Sequence, residues 1–208
     1  MYTKYIKRIL DLIISIIALI LLFPFFIIFA ILIKAESKGP IFFKQERIGK
    51  EKKHFNIYKF RSMRTDIPKD MPTHMLKDAK SYITKFGGFI RKTSIDELPQ
   101  IINILKGDMS IIGPRPALWN QDDLISERDK YHANDVTPGL TGWAQVNGRD
   151  ELPIPVKAKL DGEYVEKISF LFDVKIFFKT IIIVFKHEGV VEGAQEETKK
   201  EKKKIERK

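Results

Sequence analysis

The chain contains no cysteine. Disulfide bridges and thiolate metal sites are therefore excluded, and a reducing compartment is compatible with that lack. Histidine is scarce: His54, His74, His132 and His187 stand apart, without the spacing of zinc ligands. Neither a Walker loop nor a dinucleotide-binding glycine pattern occurs, so those two modes of nucleotide recognition are absent. No internal repeat is visible. Acidic residues are in the minority, 27 against 37 basic ones, for a net charge of +10. The charged tail carries only part of that excess, so basicity is general. Such a balance favours anionic partners: lipid headgroups, nucleotides or nucleic acid.

What is present first is an uncharged apolar run of 22 residues from Leu12 to Ile33. At ~1.5 Å per residue it is long enough to cross a hydrocarbon core of about 30 Å. A single spanning helix is the simplest reading. Two features argue instead for a re-entrant membrane helix hairpin that returns to the face it entered. Pro24 lies near the middle, where it removes a helix hydrogen bond. Basic residues flank both ends, Lys4, Lys7 and Arg8 before and Lys34 and Lys38 after, whereas a spanning helix concentrates them on one side. The limbs Leu12 to Phe23 and Phe25 to Ile33 are each too short to cross. Asp11, at the apolar boundary, is expected to pair with Lys7 or Arg8 one turn back.

After this anchor (residues 1–38) a small domain is expected over 39–193, followed by a charged, disordered tail over 194–208. The fold class reads as α+β and helix-rich. Residues 41–47 and 54–60 form a β-hairpin around Gly49. Residues 64–81, with Pro68 and Pro72, read as a surface loop holding at most one helical turn. Ile95, Leu98, Ile101, Ile102 and Leu105 recur at helical spacing up to Gly107. A second amphipathic helix covers 118–131, and Gly139 to Arg149 reads as a glycine-rich loop near a ligand. A last helix over 174–187, with Asp173 as N-cap and Gly189 as stop, carries Lys175, Lys179 and Lys186 on one face. It reads as an interfacial helix with lysines toward headgroups, or else as a core helix with a lysine stripe.

The chemistry concentrates in two adjacent stretches. Asp96 and Glu97 sit at a helix start, where the positive end of the helix dipole favours ionised carboxylates. Such carboxylates can act as a nucleophile or hold Mg²⁺. The ordinary alternative is a capping box between Ser94 and Glu97. Pro99 is tolerated better if Asp96 is the cap. Downstream, Gly113-Pro114-Arg115-Pro116 fixes the backbone around a guanidinium, which limits the entropy lost when it grips an oxyanion. Lys59, Arg61, Arg91 and Lys92 add further cations. A site that holds a diphosphate while an acid attacks it needs this charge neutralisation.

Lys59-Phe60-Arg61-Ser62-Met63, the run from Thr93 to Gln100, Gly107-Asp108-Met109-Ser110, Gly113 to Pro116, and Pro138 to Arg149 together resemble the bacterial sugar transferase family, the monotopic phosphoglycosyl transferases. The resemblance runs from about residue 3 to 190 and suggests the minimal, single-anchor form. It implies transfer of a sugar phosphate from a UDP-sugar to undecaprenyl phosphate, releasing UMP, at the cytoplasmic face of the bacterial inner membrane. By motif, Asp96 would be the nucleophile that forms a phosphosugar-aspartate, and Glu97 would assist through Mg²⁺, with both as metal ligands. Lys59, Arg61, Arg91, Pro114, Arg115, Pro116, Gln145, Asn147 and Arg149 would form the substrate site. The family's usual Ser-Pro at the membrane bend is Phe23-Pro24 here. The run from Lys92 to Gln121 is most similar to capsule-initiating members that use N-acetylated 6-deoxy amino sugars. A non-catalytic basic scaffold or nucleic-acid-binding protein is the competing class, marked by salt-sensitive binding and indifference to Asp96.

Overall fold

The computed structural model describes residues 1–65, 79–148 and 152–186. After a short π-helical turn, Tyr2–Ile6, the apolar run forms one α-helix, α1, Lys7–Glu36. The helix is uninterrupted at Phe23-Pro24 and carries Pro24 inside it. Proline removes a single N–H donor, and the hydrogen bonds on either side keep the helix continuous.

Both ends of α1 are tied to the rest of the chain. Near its start, Arg8 donates to the carbonyls of Ile104 (2.5 Å) and Leu105 (3.0 Å), and Asp11 accepts from the Ile111 amide at 3.0 Å. Lys7 pairs with Asp173, not with Asp11. Lys7 and Arg8 thus make their direct contacts with other elements, while Lys7 remains close enough for its charge to act on Asp11. At the far end Arg61 donates to the carbonyls of Ile33, Ser37 and Lys38, and Glu36 accepts from the Phe86 amide. Between these ties Phe26 and Ile33 are buried against Phe60 and Ile90. The remaining faces of α1 leave Ile9, Ile13, Ile16, Ile20, Leu21 and Ile28 exposed, among others. It is the one helix among the described residues long and apolar enough to cross a membrane.

The expected hairpin is present: β1, Phe42–Ile48, runs antiparallel to β2, His54–Phe60, with Phe42 opposite Phe60. A single turn, α2 (Ala79–Tyr82), precedes α3 (Lys85–Lys92), whose N-cap Thr84 accepts from the Gly87 amide. A 3₁₀ turn, Ile95–Glu97, leads into α4, Gln100–Lys106, which ends at Gly107. Gly107 has φ +94°, the left-handed C-cap geometry that favours glycine. Strands β3 (Ser110–Ile112) and β4 (Gly139–Thr141) pair in parallel, a pairing not expected from the sequence. Helix α5, Asp122–Asp129, is shorter than the expected 118–131. Helices α6 (Ile154–Lys167) and α7 (Phe170–Lys186) complete the described fold.

In α7 the helix starts at Phe170, so Asp173 lies within its first turn and is not the N-cap. Its buried carboxylate accepts from Tyr2 and Tyr164 instead. One stripe of α7, with Ile176 fully buried, joins Ile112, Val146 and Tyr164 in the core. Another leaves Phe170, Leu171, Phe178 and Ile182 exposed. Lys175 and Lys179 lie over the Trp143 ring, at 5.5 and 4.6 Å from its centroid. Their charge is therefore partly engaged by that aromatic face rather than directed wholly outward. The proposed stop at Gly189 and the tail from Ala194 lie outside the described residues.

Candidate active site

Ser94 sets up the acid pair. It holds φ +57°, a left-handed conformation costly for a non-glycine residue, and its side chain makes no cap hydrogen bond. Neither expected cap forms, and Pro99 occupies the N-cap position of α4. Helix α4 is then sewn to β2 by Asn103, which is fully buried. Its Oδ1 accepts from the Tyr58 amide at 3.0 Å and its Nδ2 donates to the Asn56 carbonyl at 2.8 Å. That register brings Glu97 opposite Lys59. The Lys59 ammonium donates to Glu97 Oε1 at 2.7 Å.

Arg115 closes on the same carboxylate, Nη2 to Oε1 at 2.6 Å and Nη1 to Oε2 at 3.2 Å. Two cations thus share one carboxylate whose side chain is 17% exposed. Burial alone would raise Glu97, but Arg115 and then Lys59 hold its carboxyl well below the ordinary range. Asp96 behaves oppositely. It is 7% exposed, and burial pushes its carboxyl up to about 6, against the opposing pull of Lys59; the neighbouring charge of Glu97 adds to the rise, while Arg91 and Arg115 lower it. At Asp96 desolvation is the larger effect and outweighs the neighbouring cations, yet a carboxyl at about 6 is still mostly ionised at neutral pH.

These groups line one cavity of about 1450 Å³. Its walls include Lys59, Arg61, Arg91, Asp96, Glu97, Arg115, Pro116 and Gln145, so most of the expected site residues do converge. Gln145 is 9% exposed, and neither atom of its amide has a hydrogen-bond partner among the described residues. Three expectations need correction. Arg61 reaches the wall, but its Nη1 and Nη2 donate to the carbonyls at the end of α1, so these two nitrogens serve the anchor seam, while its Nε has no partner among the described residues. Pro114 and Asn147 are not part of the lining; Asn147 donates to the Trp143 carbonyl at 2.7 Å. Arg149 lies outside the described residues.

Sequence reasoning missed several wall residues: Gln45 and Arg47 from β1, Arg128 from α5, and Phe177, Ile181 and Val184 from α7. Gln45 and Arg47 were legible in principle, because alternate residues of a strand share a face. The α7 stripe could not be, since 3.6-residue periodicity does not say which apolar face meets a cavity. The cavity therefore runs from the acid pair to a helix whose adjoining stripe is exposed and apolar.

Mg²⁺ favours hard oxygen ligands, commonly one or two carboxylates completed by phosphate oxygens and water. Among the described residues no group of three or more histidine and carboxylate side chains converges. Asp96 and Glu97 fit the ion by donor chemistry once a substrate supplies phosphate oxygens. Asp96 is the more available of the two, because both Glu97 oxygens already accept from cations.

A model of the bacterial sugar transferase family matches residues 2–187. The chain belongs to the bacterial sugar transferase family. It is therefore a transferase, and the non-catalytic alternative loses its support. Among its relatives in this family is the uncharacterized sugar transferase EpsL of Bacillus subtilis, 43% identical over 158 residues and covered to 76% in both chains. An Aeromonas hydrophila relative is named UDP-N-acetylgalactosamine-undecaprenyl-phosphate N-acetylgalactosaminephosphotransferase. It is 40% identical over 185 residues, 85% of this chain and 43% of that one. The undecaprenyl-phosphate glucose phosphotransferase of Komagataeibacter xylinus is also 40% identical, over 84% of this chain and 35% of its own length. The chain thus spans less than half of these two activity-named relatives.

Proposed function

We propose that this family member transfers a sugar 1-phosphate from a UDP-sugar to undecaprenyl phosphate and releases UMP. The observation that carries this reading is the pair of adjacent carboxylates, Glu97 held by two cations and Asp96 left beside them, set in a cavity among Lys59, Arg91 and Arg115. The names of the activity-named relatives support the substrate classes.

In the first step an Asp96 oxygen attacks the β-phosphorus that bears the sugar. The bond from that phosphorus to the bridging oxygen breaks, and UMP departs with the electron pair. In the second step an oxygen of the lipid phosphate attacks the same phosphorus. The acyl phosphate bond breaks, Asp96 regains its carboxylate, and a polyprenyl-diphosphate sugar leaves. This is the ping-pong course of covalent catalysis. Its first requirement is that an anion approach a diphosphate. Lys59 and Arg115, fixed on Glu97, supply the neutralising charge without reorganisation. Mg²⁺, when bound by Asp96 and Glu97 with phosphate oxygens, would add Lewis-acid stabilisation of the leaving UMP. Gln145, with its unpartnered amide, is suited to hydrogen-bonding the donor.

The anchor supports one-sided insertion. A helix of 30 residues is about 45 Å long if straight. Its two ends hold the same folded unit, through Arg8 at one and Arg61 with Glu36 at the other. A transverse helix would place those contacts on opposite sides of a bilayer. The chain is therefore read as embedded from the cytoplasmic face of the inner membrane, where UDP-sugars are available. The donor is read as an N-acetylated deoxy amino sugar, serving an initiating step of capsule or glycoconjugate synthesis.

The test is product analysis with purified protein in bilayers, Mg²⁺, undecaprenyl phosphate and a panel of UDP-sugars. UMP release with sugar phosphate on the lipid is expected, fastest with an acetamido-deoxy sugar. Release of UDP would instead mean transfer of the sugar without its phosphate.

A further inference from the structure

Several carbonyls hold the backbone of the Arg115 loop, beside the Gly113 amide, which donates to the Thr141 carbonyl at 2.8 Å. Prolines 114 and 116 have no N–H to donate. The Pro114 carbonyl accepts from the Gly139 amide at 2.9 Å, and the Pro116 carbonyl accepts from Arg47 Nη1 at 3.1 Å. The next carbonyl, of Ala117, accepts from the Ile48 amide at 2.9 Å. The Arg115 carbonyl itself accepts from Arg128 Nη1 at 2.9 Å. Strands β4 and β1 and helix α5 therefore each grip one part of the loop. The approach is close enough that a Cβ on Gly113 would come within 2.6 Å of the Thr137 carbonyl oxygen.

Arg128 differs from the other grips in what stands behind it. It is 3% exposed, and its Nε and Nη2 both donate to Asp161 Oδ2, at 2.8 and 2.5 Å. Asp161, on α6, is fully buried. A guanidinium fixed at two nitrogens has only its third free to aim, and that one points at the Arg115 carbonyl. Arg115 in turn makes the two-pronged contact with Glu97. A chain of direct contacts thus leads from α6 through α5 and the proline-flanked loop to the acid pair. Buried ion pairs add little net stability but fix geometry when every donor is used.

We propose that Arg128, aimed by Asp161, is a positioning residue that sets the Arg115 guanidinium on Glu97 and so shapes the charge beside Asp96. The inference rests on the reaction proposed above only for its kinetic readout. Its structural readout needs no substrate.

The test uses the full chain in bilayers, with Arg128→Lys, Asp161→Asn, Arg115→Lys and the Arg128→Lys/Arg115→Lys double variant. Hydrogen exchange is read first. In Arg128→Lys the amides that lock the loop, Gly139 and Ile48, should exchange roughly ten-fold faster, while α5 and α6 keep their protection. Unchanged exchange at those amides, or a general loss across both helices, overturns the proposal. Asp161→Asn keeps the side-chain volume and should give the same local pattern, which keeps the question open to refutation if Arg128→Lys folds poorly. In UMP release, Arg128→Lys should lower kcat/KM about ten-fold in the native background and less than about two-fold beside Arg115→Lys, because both act through one guanidinium. Equal effects in the two backgrounds would refute a role through Arg115. A wild-type protein without UMP release would count against the reaction alone, since the exchange result stands by itself.

Discussion

The acid pocket and the seam along α1 use arginine in opposite ways. In the pocket, Arg115 meets a carboxylate that lines a cavity. Along the seam, Arg8 and Arg61 meet backbone carbonyls at helix ends, where the groups that α4 and α1 leave unsatisfied would otherwise be orphaned. Lys59 and Arg61 stand two residues apart, yet one completes the electrostatics of Glu97 and the other closes a helix. The difference teaches that a cation's role follows from what its neighbours lack. A carboxylate pair under a cavity lacks neutralisation, and a buried helix end lacks donors.

Substitutions should separate the two regions. The largest effect is expected at Asp96→Asn, with turnover down at least about 10³-fold, as for loss of a nucleophile, and membrane association retained. UMP release and vesicle flotation measure both. Arg115→Ala should follow, lowering kcat/KM on the order of 10²-fold by removing a charge that stabilises the transition state. Steady-state kinetics on the donor would show it. The seam variant, Arg61→Ala, should instead cost roughly 2–3 kcal/mol of stability by leaving buried carbonyls unpaired, with donor KM unchanged in the folded protein. Chemical denaturation beside kinetics reads that contrast, and a KM that rises sharply would return Arg61 to the substrate site.

Acidity sharpens the comparison further. Asp96 must be ionised to attack, and its carboxyl sits at about 6, so kcat/KM should fall as pH drops below that point. The stability consequence has the opposite sign to that of a salt-bridged acid. Because the folded value lies above the ordinary 3.8, ionising Asp96 destabilises the fold above about 6, and the penalty vanishes below about 4. Asp96→Asn should therefore stabilise the protein at neutral pH by on the order of 3 kcal/mol and give no advantage near pH 3. Thermal unfolding across pH would measure it. A destabilised Asn variant at neutral pH would mean the carboxylate is better solvated than its burial indicates.

Much of this architecture was legible before any coordinates. The β-hairpin followed from two short strand-like runs joined by a connection that contains Gly49, and the end of α4 followed from Gly107. Asp96, Glu97, Lys59 and Arg115 could be grouped because carboxylates beside a proline-stiffened arginine suit phosphate chemistry. What failed had a common cause. Asp173 resembled an N-cap and Asp11 a partner for its own helix, since local spacing offers those roles, while the family motif alone placed Arg61 at the substrate. In the folded chain their partners lie far away in sequence: Tyr2 and Lys7 for Asp173, Ile111 for Asp11, and Ile33 for Arg61. The parallel pairing of β3 with β4 was hidden for the same reason, as each strand is only three residues long. Burial of Asp96 was equally invisible, because it depends on what closes over the 3₁₀ turn.

The most direct measurement is mass analysis of the enzyme after brief exposure to a donor radiolabelled at its β-phosphate, with no lipid acceptor present. The label should remain on the peptide that contains Asp96 and should be discharged when undecaprenyl phosphate is added. Label found on a different residue, or an unlabelled enzyme that still turns over once acceptor is supplied, would contradict the covalent account.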